Sequence, residues 1–136
     1  MKFADIEEAL QFVSSGYLGE NTALVCRSTG EIYWQTEDRE IDDIPEEAYE
    51  SDDWFEVPTF RDIGCGTNLV SDFAGQYLPD DFDDVQRMFR RAGAYGRFKA
   101  LLERRGLLEE WYQFESARQE HAIRQWCEDH GIELTG

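Results

Sequence analysis

The chain has 136 residues, with thirty acids against thirteen bases, a formal net charge of -17 and a sequence pI near 4.3. That length buries about 68% of the surface an unfolded chain exposes, so one core suffices without a metal or disulfide staple. A hydrophobic content of 41% with nineteen aromatic residues excludes a disordered chain, and the acidity disfavours phosphate backbones and anionic lipid while favouring basic partners.

The first residues, MKFADIEEALQFV, break their apolar pattern with acids, and nowhere do about eighteen apolar residues run together. Neither a secretory leader nor a membrane span is expected, and the cytoplasm is the expected setting. Cys26, Cys65 and Cys127 are odd in number, widely spaced and free of any C-x-x-C, which predicts reduced core thiols.

Asp5 and Glu8 suggest a capping box, and Ile6, Ala9, Leu10, Val13 and Tyr17 recur at helical spacing, predicting a helix over 5–15 closed at Gly16. TALVCR and EIYWQT then flank Ser28, Thr29 and Gly30 as the arms of a β-hairpin. From 37 to 56 there are eleven acids and one base, read as an acidic loop at about 37–53 with one short turn at 46–49. WFEV at 54–57 follows as a third strand.

Leu69, Val70, Phe73, Ala74, Tyr77 and Leu78 form a helical stripe ending before Pro79, with Gly64 and Gly66 near its start. Asp80, Asp81, Asp83 and Asp84 then crowd the start of a helix carrying Val85, Met88, Phe89 and Ala92. Phe98, Leu101 and Leu102 mark a short helix closed by Gly106, and a longer one runs from Leu107 to about Asp129, closed by Gly131. IEL at 132–134 is expected as a short terminal strand. The sum is one α+β domain, 1–136: an N-terminal helix, a small antiparallel sheet built on the hairpin plus a third strand, and a helical C-terminal half.

STGEIYW in the hairpin, YLPDD before the aspartate-rich helix start, RRAGAYGRFKALLERRGLLEEWYQFE and WCEDHGIEL carry a resemblance. Over nearly its whole length the chain resembles the small acidic bacterial proteins grouped as uncharacterised protein family 0158; the arginine-rich block with its downstream W-Y-x-F is the most specific element. The resemblance implies one full-length domain in a bacterial or phage-type cytosolic setting. It brings no activity, cofactor or catalytic residue. CGTN at 65–68 departs from the family's more regular helix start.

The chemistry-bearing motifs are sparse. Cys127 and His130 make C-x-x-H, but His121 lies off that face and a zinc site wants three or four converging ligands. DDFDD lacks the spacing of a calcium loop and reads as a dipole-matched helix start. No phosphate-binding glycine loop or nucleophile elbow is present, and both histidines fall in the last sixteen residues. Hence no metal, no cofactor and no catalytic residue is assigned, and the enzyme question stays open with the balance toward a non-enzymatic role.

Two charge features remain. From Arg87 to Arg105 there are seven bases and one acid, Glu103. Helical geometry sets Arg87, Arg90 and Arg91 opposite the apolar stripe of their helix, and Arg97 and Arg104 beside that of the next. Outside this island the net charge is -23, so a nucleic acid meets repulsion beyond a Debye length of about 8 Å, and direct nucleic-acid binding is not expected. The expected function is therefore an acidic interaction or regulatory module for a basic protein, with Asp42, Asp43, Glu46, Glu47, Asp52 and Asp53 as the partner-binding face, able to imitate nucleic-acid charge. Arg90, Arg91 and Arg97 are candidates for an anion clamp. The alternative is an enzyme or binder of an anionic small molecule or nucleic acid at 87–105.

Overall fold

The computed structural model describes residues 1–15, 20–36 and 46–135. The fold is α+β, with helix α1 (Phe3–Ser14), strands β1 (Asn21–Cys26) and β2 (Ile32–Thr36), short helix α2 (Glu46–Glu50) and strand β3 (Trp54–Glu56). Helices α3 (Asn68–Tyr77), α4 (Phe82–Met88), α5 (Ala94–Arg105) and α6 (Leu108–Asp129) follow, with a 3-10 turn at Pro79–Asp81. Two compact units emerge: Met1–Ile63 with His121–Gly136, and Gly64–Glu120.

The first unit is built on an antiparallel sheet of order β2-β1-β3. Because alternate residues of a strand face opposite ways, β1 divides its burden. Ala23 and Val25 lie opposite Trp34, Ile32 and Phe55, and they join Ile6, Ala9, Leu10 and Val13 of α1 in one core. Leu24 and Cys26 take the other face, where Tyr33 and Trp54, their cross-strand partners, stack at 4.9 Å between ring centroids. Four consecutive buried residues in β1 follow from its central place.

Two expectations at the chain ends need correction. Lys2, not Asp5, occupies the N-cap of α1 and makes no side-chain cap bond; Asp5 sits inside the first turn, where its charge suits the helix dipole. The IEL segment is not a strand. Gly131, at φ +69°, closes α6 as a left-handed cap, the Ile132 N–H donates to the Cys127 carbonyl at 2.8 Å, and buried Ile132 is the apolar contact of that cap. Beyond it Thr135 donates its backbone N–H and its hydroxyl to the Met1 carbonyl.

The second unit packs Leu69, Val70, Phe73 and Ala74 of α3 against Leu78, Val85, Phe98, Leu101, Leu102 and Trp111. Phe73 is its centre: Tyr77 stacks on it at 4.5 Å, and Phe98, Trp111 and Phe114 meet it edge-on at 6.4, 5.4 and 5.4 Å. The start of α3 at Asn68 has a local cause. The Asn68 amide donates to the Gly64 carbonyl and its oxygen accepts from the Gly66 N–H, tying up the glycines that obscure this helix start in the sequence.

The aspartate-rich start is also finer than expected. Pro79–Asp81 forms the 3-10 turn and α4 covers only Phe82–Met88, with Phe89 already out of helix. Helix α5 runs between left-handed glycines, Gly93 and Gly106, and the Leu107 N–H returns to the Leu102 carbonyl at 2.8 Å to close it.

Two buried thiols, Cys26 and Cys127, match the expected core role, whereas Cys65 is only partly buried. Phe73→Ala should cost about 3–5 kcal/mol in urea unfolding, because four ring contacts cannot refill the cavity. Tyr112→Ala, on a ring 44% exposed, should cost less than about 1 kcal/mol. Equal losses in the two variants would show that the second unit is not organised around Phe73.

Candidate functional site

Helix α5 buries Phe98, Leu101 and Leu102, so Arg97, Arg104 and Arg105 are forced to the solvent side. Helix α4 buries Val85 and leaves Arg87 outward, and the turn after it carries exposed Arg90 and Arg91. The chain reverses at left-handed Gly93, and Asp81 at the start of α4 meets Arg105 at the end of α5, so the two helices run antiparallel. Between them lies a cleft of about 730 Å³. Six arginines line it: Arg87, Arg90, Arg91, Arg97, Arg104 and Arg105. Met88 and Leu101 form its apolar lining, and among the described residues Asp81 and Asp84 are its only acids.

The ion pairing inside the cleft is uneven. Arg105 grips Asp81 with two hydrogen bonds of 3.0 Å each, from Nε and from Nη2 to separate carboxylate oxygens. These bonds, with the charges of Arg105 and Arg104, hold the Asp81 carboxyl below its ordinary value; the same bonds, with the charges of Asp81 and Asp80, push Arg105 up. Because a lowered carboxyl keeps its charge until pH falls through the folded-state value, this pair outlasts ordinary carboxylates on acidification. Asp84 pairs with Arg87 one helical turn on. Among the described residues, no carboxylate is paired with Arg90, Arg91, Arg97 or Arg104. Among the described residues, six guanidinium groups against two carboxylates leave a local surplus of four positive charges.

The candidate acidic face is placed less completely. Asp42 and Asp43 lie outside the described residues. Glu46 and Glu47 are exposed in the first turn of α2, and Asp52 is exposed just after it. Asp53 is occupied by Arg27, which also donates its backbone N–H to the Asp53 carbonyl at 2.7 Å.

A second titratable cluster in the Gly64–Glu120 unit is chemically quieter. Burial raises Cys65, with Glu115 adding to the rise and Arg118 opposing it; burial and Glu115 likewise raise Tyr95. Both groups stay protonated at neutral pH, so neither is an activated nucleophile. Cys127 is pushed up to about 11 by burial, and the His130 ring nitrogen Nδ1 lies 2.8 Å from the Trp126 carbonyl, so the C-x-x-H pair is committed to packing. Among the described residues no three His, Cys, Asp or Glu side chains group to hold a metal, and no helix is long and apolar enough to cross a membrane.

Reasoning from sequence singled out Arg90, Arg91 and Arg97 and missed the partners that frame them. The i, i+3 spacing of Asp84 and Arg87 was a readable signal. The Asp81–Arg105 pair spans 24 residues and had none.

Glu115 supplies a pH-dependent test of this unit. Burial raises its carboxyl and Lys99 only partly opposes that, so the folded state holds the proton more tightly than the unfolded chain. Ionised Glu115 therefore costs stability above its folded-state value, and the cost disappears as pH falls below the ordinary carboxylate value. Glu115→Gln should raise Tm by about 1–3 °C at pH 7 and leave it unchanged near pH 4 in thermal melts. An equal rise at both pH values would mean that the charge is not the cause.

No family model, no curated protein and no solved structure matches this chain.

Proposed function

We propose that the protein binds a small anionic ligand in the α4–α5 cleft. One observation carries the reading: six arginines converge on one cleft, and four of them have no carboxylate partner among the described residues. Guanidinium groups so crowded repel one another, and an anion bridging them relieves that repulsion while taking bidentate hydrogen bonds. The volume suits a small molecule, since ligand pockets span about 300–1,000 Å³.

The acidity of the rest of the chain selects by size. A compact anion reaches the arginines from one side, whereas a nucleic-acid strand extends past the cleft into the field of the surplus acids. An acidic module for a basic protein is the second reading, favoured by the net charge of -17 and by exposed Glu46, Glu47 and Asp52. It ranks below the cleft because Asp53 is already engaged by Arg27. A cytoplasmic setting suits either role.

Calorimetric titration at low salt with inorganic phosphate, pyrophosphate, sugar phosphates and a nucleotide tests the cleft. At least one anion should saturate at 1:1, and Arg91→Ala and Arg97→Ala should each weaken it about tenfold, the loss of one charge-assisted contact. Absence of saturable binding by every anion, or binding indifferent to both substitutions, would remove the cleft reading. Retention of a co-purifying basic protein at low salt, lost on Glu46→Gln, Glu47→Gln and Asp52→Asn together, would put the acidic reading in its place.

A further inference from the structure

We infer that the cleft is built for two phosphate groups held apart on a non-aromatic, hydroxyl-bearing body, such as a sugar bisphosphate. This rests on the anion-cleft reading and narrows it to one ligand class.

The argument starts from where the cations sit along the cleft. Arg97 lies in the first turn of α5, beside the turn that carries Arg90 and Arg91; Arg104 and Arg105 lie in its last turn. Arg97 and Arg104 are seven positions apart, an axial rise of about 10 Å. Positive charge is thus present at both ends but unevenly: among the described residues, Arg90, Arg91 and Arg97 are unpaired at one, and Arg104 at the other, where Asp81 holds Arg105. Between them on α5, Leu101 lines the cleft, and Met88, at the end of α4, adds apolar surface to the same lining. Charged ends with an apolar middle fit a ligand whose anionic groups are separated by a body resting on aliphatic surface.

The remaining lining groups narrow the body further. Among the described residues no aromatic side chain lines the cleft, so a nucleobase gains from them none of the stacking, about 1–3 kcal/mol per base, that nucleotide-binding surfaces supply. The two acids, Asp81 and Asp84, are already held by Arg105 and Arg87; they repel a phosphate, and only the lone pairs left on their oxygens are open to hydroxyl donors. A polyol uses such acceptors, whereas an inorganic polyphosphate has nothing to donate to them. Charge also matches. Two phosphate monoesters carry about -3 to -4 together at neutral pH, close to the local surplus of four positive charges, whereas one monoester leaves about half of it unbalanced.

Competitive calorimetry on the full chain separates these claims, with fructose 1,6-bisphosphate, glucose 6-phosphate, pyrophosphate and ADP as probes. The bisphosphate should bind at least tenfold more tightly than each of the other three. Arg97→Gln and Arg104→Gln, which alter opposite ends of α5, should each reduce bisphosphate affinity about tenfold and bring it to the level of the monophosphate. Both positions are exposed, and unchanged far-UV circular dichroism would establish that each variant is folded. If pyrophosphate or ADP binds as tightly as the bisphosphate, or if Arg104→Gln leaves its affinity intact, the two-ended assignment is wrong although the cleft still binds anions. If none of the four probes binds, both the assignment and the anion-cleft reading fall.

Discussion

The constraint on which the candidate site depends is the burial of the apolar face of α5. Phe98 and Leu102 are fully enclosed and Leu101 nearly so, packed with Phe73 and Trp111 in the core of the Gly64–Glu120 unit. Once that face is committed, the arginines of the same helix have no interior to enter, since a buried unpaired guanidinium costs far more than the packing gains. The short helix α4 obeys the same rule through Val85, and its Arg87, with Arg90 and Arg91 of the turn after it, lines the cleft shared with α5. The cationic cleft is therefore a by-product of ordinary core formation in an αα-hairpin, retained at the expense of mutual repulsion among its arginines.

That repulsion is only partly relieved within the chain. Asp81 holds Arg105 in a bidentate pair and Asp84 holds Arg87, which leaves Arg90, Arg91, Arg97 and Arg104 without a carboxylate among the described residues. With thirty acids available in the chain, the uneven pairing is informative. Acids are spent elsewhere, on Arg27 through Asp53 and on Arg118 through Asp72, while the cleft keeps a positive surplus inside a strongly negative molecule. A local field opposed to the global one favours compact anions over extended ones, because screening confines attraction to short range. The same opposition ties the two proposed readings together: the acids that would attract a basic protein are those that would repel a nucleic-acid strand approaching the arginines.

Much of the architecture was legible from residue pattern alone. The hairpin, the third strand at WFE, the helical stripes of α1, α3 and α5 and the glycine stops at 106 and 131 appear where periodicity and turn chemistry put them. The misreadings share a cause. Asp5 matched a capping pattern, yet backbone geometry placed the cap at Lys2. IEL had strand-like composition, yet the left-handed closure of α6 at Gly131 used Ile132 as its apolar contact. In each case a local motif competed with the geometry of a helix end; at Gly131 the helix end prevailed because its carbonyl groups had to be satisfied, whereas Lys2 caps α1 by backbone conformation with no side-chain bond.

For the site, the sequence by itself determined that seven bases fall within nineteen residues and that helical spacing turns most of them away from the core. Those properties are set by covalent order and the 3.6-residue turn, so they need no tertiary contact. The fold alone decided that these arginines share one cleft, that Leu101 and Met88 line it, and that Asp81 closes on Arg105 across 24 residues. The physical reason is that antiparallel docking of α4 on α5 follows from Val85, Phe98 and Leu102 sharing one core, and the sequence pattern does not specify which buried faces meet.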